Sequence, residues 1–575
     1  MGKDIQRAFL WVILFTSCFL LWDNYQVYRG GESFFQKSEP AAEQKADAAA
    51  STPDAVPSDK PAEKPAASTD IAASKLDQAK DPVVVTTDRM KVTFDCEGAV
   101  IIGNEMRLIP RQADWTEVGL AGLILGRKAP EHLGNVNLLE ENAKRTYVAQ
   151  SGLVGGSFPN HRDPFRLVSS KLDMGDAQNL DVVFESEKSG VTVRKTYTFE
   201  RGNYGVTLKT EVVNGGSEPV KPSVYYQITR DDGAPEDESS MYSTFTGPAV
   251  YSDQEKFQKI QFKDIADKSA SYEKNADNGW IAMVQHHFVS AWIPKQGEKR
   301  ENYTRQLDTH LYSVGTLISL GTVEPGKSVS DTALLYSGPQ DQNRLKQLAP
   351  GLELVVDYGW LTFLAKPIYW LLSFLYSLVH NWGWAIVLLT CIVKAILYPV
   401  SAAGYRSMAR LKDVTPRLKM LQDKYKDDKE RLNRAVMELY RTEKINPIGG
   451  CLPILLQIPV FLALYWVLQG SVELRGSEWI LWVHDLAMPD PWFVLPLLMT
   501  VTMFIQILLN PKPTDPMQAK ITYIMPLVFS VMFFFFASGL VLYWLTNNVL
   551  SIWQQWYINK TIAAERAKRM AANNR

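Results

Sequence analysis

Apolar residues in this chain are gathered into a few long runs, and the stretches between them follow a different rhythm. Residues 8–22 form one run. Beyond residue 360, apolar windows recur at 361–379, 382–400, 451–469, 492–509, 521–537 and 540–558. Each approaches the roughly 20 residues a helix needs to cross hydrocarbon. Between 82 and 345 the pattern changes to short alternating segments: Val83-Val84-Val85, Lys91–Phe94, Asp181–Phe184, Val191–Phe199, Tyr204–Val213 and Val224–Ile228. Turn residues punctuate them, as in Asn214-Gly215-Gly216 and Asp231-Asp232-Gly233. Period-two alternation with such turns predicts one large antiparallel β-sandwich. Residues 38–80 are Ala, Pro, Ser, Asp and Lys with almost nothing large and apolar, which predicts a flexible tether.

Charge orders these pieces. The 575 residues carry a formal net charge of −1. Segment 401–450 holds twelve Lys/Arg against seven Asp/Glu, and 556–575 holds five against one. Both basic segments flank apolar windows, the pattern of a cytoplasmic face. If 361–379 and 382–400 both crossed, the basic segment would fall outside, so 352–379 is assigned to the outer membrane–water interface. Trp360, Tyr369, Trp370 and Tyr376 suit that place. Around residue 22 no small-x-small cleavage site follows the first run. Cys18 loosely resembles a lipoprotein cleavage site, yet the run continues through Trp22, so a retained signal-anchor is expected.

The expected order is therefore 1–7 in the cytoplasm, 8–24 a transmembrane anchor, 25–81 a tether and 82–345 the external β domain. Then come 352–379 at the interface, 382–402 a span, 403–450 a cytoplasmic helical hairpin and 451–469 a span. An external loop 470–491, a span 492–509, a cytoplasmic loop 510–520, spans 521–537 and 540–558 and a basic cytoplasmic tail 559–575 complete it. The fold class is a membrane protein with five C-terminal transmembrane helices, an N-terminal signal-anchor and an all-β external domain. In the hairpin, Met408, Leu411, Leu418 and Leu421 recur at helical spacing, Arg406 adds charge, and Asp427-Asp428 marks the turn.

Lys394 lies within a span, about six residues from its inner end, roughly 9 Å deep at 1.5 Å per residue. A lysine at mid-bilayer costs on the order of 2.5–3.5 kcal/mol. Snorkelling to the inner headgroups and a functional role are both open on position alone. Polar company bears on the choice. Thr390 and Tyr398 share its face, Gln457 lies in the next span, and Thr500, Thr502 and Gln506 in the one after. Tyr543, Asn547 and Gln554 form a stripe in the last span, with Asn548, Ser551 and Gln555 beside it. The two readings are a wet cavity with a cation in its wall, or hydrogen bonds that only hold helices together. Chemistry-bearing signals are weak elsewhere. His161-Arg162-Asp163 sits in a β-rich setting without a glycine-rich nucleotide loop, and His286-His287 has no partner at ligand spacing. The four cysteines, Cys18, Cys96, Cys391 and Cys451, form no zinc-like cluster. No Walker, nucleophile-elbow or zinc-protease motif occurs. No enzyme, cofactor, metal or DNA partner is expected.

Several stretches together carry a family resemblance. They are Asn381-Trp382-Gly383, Lys394-Ala395-Ile396-Leu397-Tyr398-Pro399, Asn446-Pro447-Ile448-Gly449-Gly450-Cys451-Leu452-Pro453, Gln457-Ile458-Pro459-Val460-Phe461, Gly470–Arg475, Asp515-Pro516-Met517-Gln518 and Ser538–Trp544. The chain resembles the YidC membrane protein insertase family, in the Gram-negative form with a large periplasmic domain. The resemblance is strong over 350–560 and extends to the order of the whole chain. It implies insertion and chaperoning of inner-membrane proteins, alone or with the Sec translocon, by a hydrophilic groove open to cytoplasm and lipid. The resemblance places the positive residue of that groove at Lys394, and Thr390, Gln457, Tyr543, Trp544, Asn547 and Gln554 complete the expected groove. Most relatives place arginine where this chain has Lys394, which keeps the charge but loses the bidentate fork. The hairpin, with Arg406, Met408, Asp427 and Asp428, is implied in substrate capture. The basic tail is implied in ribosome contact, with lipid headgroups an additional partner for both. The β domain resembles a supersandwich and is implied as a scaffold for Sec accessory subunits. The competing functional reading is a secondary transporter of an anionic solute, against which no internal repeat is evident. A third reading, a β-domain anchor with an inert bundle, leaves the buried lysine and polar stripe without a reason.

Overall fold

In the computed structural model, the described residues are 82–113, 115–129, 133–235, 244–425, 428–443, 452–509 and 516–573. The expected anchor 8–24, the tether 25–81 and Asp427 lie outside them. The chain divides into two compact units.

Among the described residues, the β unit takes in those from 82 to 111 and from 133 to 356. One nine-stranded sheet runs β1 (Val83–Thr86), β2 (Met90–Asp95), β3 (Val100–Pro110), β4 (Asn135–Glu141), β5 (Thr146–Val154), β10 (Ser223–Asp231), β17 (Leu311–Ser319), β16 (Arg300–Asp308) and β13 (Asn275–Ala276). The second runs β12 (Lys256–Lys259), β11 (Gly247–Ser252), β14 (Trp280–Gln285), β15 (Phe288–Pro294), β18 (Ser328–Pro339), β9 (Gly205–Asn214), β8 (Val191–Glu200), β7 (Asn179–Lys188) and β6 (Arg166–Leu167). Neighbouring strands pair antiparallel, with β7 and β8 in unbroken register from Asn179 opposite Glu200 to Lys188 opposite Val191.

Alternation holds in the flanking strands and fails in the middle. Along β8 the buried positions are Val191, Val193, Lys195, Tyr197 and Phe199. In β10, by contrast, every residue from Val224 to Arg230 is buried, and β14 and β15 are buried throughout. Central strands covered on both faces lose the two-residue rhythm. Lys195 falls on the inward phase of β8, fully buried. Its Nζ donates to the carbonyls of Gly98 at 2.6 Å and Ser151 at 2.8 Å, 4.7 Å over the Phe165 ring. His161 of the His-Arg-Asp triplet is a buried core residue, its Nδ1 2.5 Å from the Tyr225 hydroxyl.

The β domain expected over 82–345 is not continuous. The described residues between 112 and 129 separate from the β unit and belong with the C-terminal helices. This segment carries a 3-10 turn, Trp115–Glu117, and a helix α1 (Gly119–Leu125). Its Leu120 amide bonds to the Pro491 carbonyl, in the loop before the apolar helix that begins at Val494. Short helices α2 (Phe262–Ala266) and α3 (Gln342–Leu348) stay in the β unit.

The helical unit holds α4 (Thr362–Val379), α5 (Trp382–Ile396), α6 (Tyr398–Lys424), α7 (Lys429–Thr442), α8 (Leu452–Gly470), α9 (Val494–Leu509), α10 (Pro516–Phe533) and α11 (Ser538–Asn573). The segment expected as one interfacial helix over 352–379 is three pieces. Leu352–Val355 is a 3-10 turn in the β unit, and Gly359–Leu361 is a second turn before α4. The segment expected as one span over 382–402 breaks at Leu397, where α5 and the first part of α6 meet at 66°. Pro399 explains the break: it has no N–H to continue α5, and its fixed φ suits the first turn of a new helix. The last span and the tail form one 36-residue helix.

Among the described helices, α4 alone has the length and apolarity to cross a membrane by itself, and α5 with Tyr398–Arg410 passes as a bent pair. Gln457–Gly470, Val494–Leu509 and Thr522–Phe533 are apolar but shorter. Leu497, Leu498, Val501, Ile505 and Leu508 of α9, and Ile524, Leu527, Val528 and Val531 of α10, are exposed. Apolar ridges of that extent are stable only against lipid or another protein.

Candidate functional site

One end of the helical unit is sealed by the loop joining α8 to α9. Val472, Leu474, Val483 and Leu486 of this loop are buried. Gly383 lies beneath Trp479, where a Cβ would come within 2.2 Å of the indole, so the Asn381-Trp382-Gly383 stretch needs its glycine. Asn381 caps α5 through the amide of Trp384 and also donates to the Glu478 carbonyl. Ser538 and Gly539 donate their backbone amides to the carbonyls of Met488 and Leu486, which fixes the start of α11 on the same loop. Asp490 accepts from the Leu495 amide and caps α9. The Tyr369 hydroxyl donates to Glu473 at 2.6 Å, tying α4 to it.

Below this loop, polar side chains converge. Lys394 on α5 is 6% exposed, and its ammonium donates to the Ser551 hydroxyl at 2.7 Å. It turns inward to α11 and does not snorkel. Ser551 in turn donates to the Asn547 carbonyl one helical turn back. Gln457 Nε2 donates to Asn547 Oδ1 at 2.6 Å, linking α8 to α11. Among the described residues Lys394 forms no ion pair. A hydrogen bond to a charged group contributes roughly 1.5–3 kcal/mol, comparable with the cost of placing a lysine at membrane depth.

Beside these groups lies a cleft of about 320 Å³, walled by Gln457, Gln506, Tyr543, Asn547 and Asn548 on polar faces and Phe461, Met503, Pro526 and Trp544 on apolar ones. Phe461 packs edge-on against Trp544 with ring centres 4.5 Å apart. Lys394 does not wall this cleft. It lines a small adjoining void with Val393, Leu397, Val400, Ser401, Gln457 and Asn547. The Gln457–Asn547 pair is the partition shared by the two.

The structure thus brings Lys394, Gln457, Tyr543, Trp544 and Asn547 together. Thr390 shares the helix face of Lys394 but bonds its hydroxyl to the Ile386 carbonyl. Gln554 is buried two turns beyond Asn547 and lines neither space. Ser551 is the residue whose part the sequence did not disclose. Its spacing from Asn547 placed it on the right helix, but only the fold puts it opposite Lys394. In the hairpin, Asp428 caps α7 through the Arg431 amide, Arg406 is exposed and Met408 is half-buried. Arg417 of α6 pairs with Glu443 beyond α7 at 2.5 Å.

An apolar-flanked helical unit with a polar-walled cleft, on one chain with a large β-sandwich, defines a polytopic membrane protein with an extramembrane domain. Comparison with known proteins gives the particular family. The family model described as 60Kd inner membrane protein matches residues 374–566, and that described as YidC periplasmic domain matches 127–371. The chain is 50% identical over 586 residues to the membrane protein insertase YidC of Bordetella petrii, covering 99% of this chain and 100% of that one. It is 46% identical over 567 residues to the same-named protein of Ralstonia nicotianae, covering 98% and 99%. A solved YidC insertase structure aligns with 83% of this chain and 92% of its own at 19% identity and a TM-score of 0.38. The chain belongs to the YidC membrane protein insertase family, a family of non-enzymatic bacterial inner-membrane proteins with a periplasmic domain.

Proposed function

We propose that this chain inserts other proteins into the inner membrane, and that the cleft between α8, α9 and α11 receives the polar segment that must cross. The observation that carries this is the buried Lys394, held by one hydroxyl and separated from the cleft by a pair of amide side chains. An ammonium has three donors, and Ser551 takes one. Parting of Gln457 from Asn547 would open a route from the cleft to the cation. A carboxylate arriving there would exchange a shell of water for a charged partner in a medium of low dielectric, where the attraction is strong. The substrate's apolar segment then passes into lipid, and burial of its surface supplies the driving force without a nucleotide.

The proposed topology keeps six spans with both termini in the cytoplasm, α4 along the periplasmic interface and the loop 470–491 outside. The break at Leu397 then lies near the inner surface, and α6 with α7 projects into the cytoplasm as the capture hairpin. The basic end of α11 serves ribosome and headgroup contact, and the β unit serves Sec accessory subunits. Cooperation with the Sec translocon is part of the same proposal.

The test is reconstitution of the purified chain in liposomes without Sec components. A single-span substrate with an acidic N-terminal tail is added, and protease protection of the tail is measured. Protection above empty liposomes, reduced in Lys394→Glu, is the expected result. Protection unchanged in Lys394→Glu would keep insertion and discard the role of the cation. No protection with folded protein would overturn autonomous insertion.

A further inference from the structure

The connection between β3 and β4 does something the sandwich does not require. Instead of a short turn, it sends its described residues, from Gln112 to Ala129, to the helical unit. Three contacts hold it there. Gln112 Nε2 donates to Asp485 Oδ2 at 2.8 Å. The Leu120 amide donates to the Pro491 carbonyl at 2.7 Å. Gly119 has a φ of +57°, and a Cβ on it would lie 1.9 Å from the Pro491 oxygen, so this approach admits only glycine. The far side is closed by Arg127 and Ala129 amides bonding to the Gly122 and Glu117 carbonyls, with Gly126 ending α1 in a left-handed conformation.

The clamp leaves the tip bare. Leu123, Ile124 and Leu125 are 74%, 71% and 54% exposed. Three consecutive helical residues sweep about 200°, so this is not one face left without a cover but a whole apolar end. Arg127 and Lys128 follow directly and are exposed. Pro491 lies three residues before α9, so the residues it holds, Gly119 and Leu120 at the start of α1, sit within about 10 Å of chain from the start of that helix. Exposed apolar residues gather along that stretch of chain: Leu481 and Trp492 in the loop, then Leu497 and Leu498 on α9. The helix α1 lies outside the residues matched by either family model.

We infer that Leu123-Ile124-Leu125 is a lipid anchor, seated among the acyl chains of the outer leaflet beside the periplasmic end of α9, with Arg127 and Lys128 at the headgroup phosphates. An apolar tip followed at once by two cations matches the layering of a leaflet, with hydrocarbon below and phosphate above. Attachment of α1 just before α9, whose own flank exposes Leu497, Leu498, Val501, Ile505 and Leu508, selects lipid over a separate soluble partner. The inference rests on the topology proposed above, in which the loop 470–491 is outside.

The full chain carries p-benzoylphenylalanine at one of three positions, Ile124, Leu498 on α9 or Lys209 on β9, in vesicles of phosphatidylethanolamine and phosphatidylglycerol. Irradiation and mass spectrometry then report phospholipid adducts. The expected result is adducts at 124 and 498 and none at 209. Adducts at 498 with none at 124 overturn the anchor and leave the membrane reading of the bundle intact. Adducts at neither position overturn that reading itself. Crosslinks from 124 to a second protein chain, in place of lipid, also overturn the anchor. The variant Leu123→Ser/Ile124→Ser/Leu125→Ser, which removes no backbone clamp, is expected to speed tryptic cleavage after Arg127 and Lys128 severalfold in vesicles. An unchanged cleavage rate contradicts the proposal.

Discussion

Lys195 and Lys394 are both buried cations, one in each unit, and they are held in opposite ways. Lys195 donates to two backbone carbonyls and lies over an aromatic ring, within a sheet packed on both faces. Burial alone pushes its ammonium down to about 7. Lys394 donates to a single hydroxyl and adjoins a void that continues, past one amide pair, into a cleft. Depth of burial does not separate these two residues. The difference lies in how many donors the fold has already used, and in whether a space adjoins them. The first lysine is a rivet between strands. The second is a charge beside a void, and in the proposed function its remaining donors face the substrate's path.

The largest effect expected from this contrast is on insertion. Lys394→Glu replaces attraction of a carboxylate by repulsion in a water-poor site, which costs several kcal/mol. Insertion of acid-tailed substrates should fall by roughly a hundredfold, ~2.7 kcal/mol, in the liposome protection assay, whereas Lys394→Arg should retain most activity.

The corresponding test on Lys195 is of stability against pH. Its folded value is depressed below the ordinary 10.5, so the unfolded chain binds more protons between about 7 and 10.5. Stability therefore rises with pH across that window, is fully present above the unfolded value and is lost as pH falls toward 7. The slope is at most about 1.4 kcal/mol per pH unit. Urea midpoints of the β unit, followed in the detergent-solubilised full chain from pH 7.5 to 9.5, should climb. Lys195→Met should flatten that climb and leave insertion unaltered. A flat wild-type profile would remove the rivet from the account.

A smaller effect is expected at the partition. Gln457→Leu strands Asn547 and should cost about 1–3 kcal/mol of thermal stability, while the double variant with Asn547→Leu recovers part of it, because neither polar group is then left alone. Full additivity in that cycle would mean the 2.6 Å contact carries no coupling. The least effect on insertion is expected of Ser551→Ala, which removes the hydroxyl partner of Lys394. It should lower stability by about 1.5–3 kcal/mol yet leave the preference for acidic tails in place, since the charge persists. Loss of that preference would make Ser551 a substrate contact in its own right.

Much of this contrast was written in the hydropathy pattern, and the rest in packing. Lys394 stands out because it interrupts an apolar window, and the polar stripe on α11 follows from helical spacing. Lys195 could have been seen the same way, since it occupies an apolar phase of the alternation from Val191 to Phe199. In a strand, however, one lysine on the wrong phase reads as a register slip, whereas in a span it reads as a cost. The flanking strands were legible from their two-residue rhythm. The strands β10, β14 and β15 are buried on both faces and so lose it. The excursion at 112–131 was hidden for a different reason: a seven-residue helix is too short for periodicity to declare, and its partners Asp485 and Pro491 lie some 370 residues further along the chain. The break at Leu397 was signalled by Pro399 but outweighed by the unbroken apolarity around it. Which polar groups meet across helices, Lys394 with Ser551 and Gln457 with Asn547, is set by helix rotation, and rotation is decided by the whole bundle.

The most direct measurement exchanges charge on both sides of the contact. Wild type and Lys394→Glu, each in liposomes, are given one substrate with an acidic tail and one with its acidic residues changed to Lys, and tail protection is measured for all four pairs. Lys394→Glu is expected to lose the acidic substrate and gain on the basic one, a crossover that a merely misfolded variant cannot produce. If Lys394→Glu lowers both substrates by the same factor, the cation is structural in the manner of Lys195, and the proposed role of the cleft's charge is wrong.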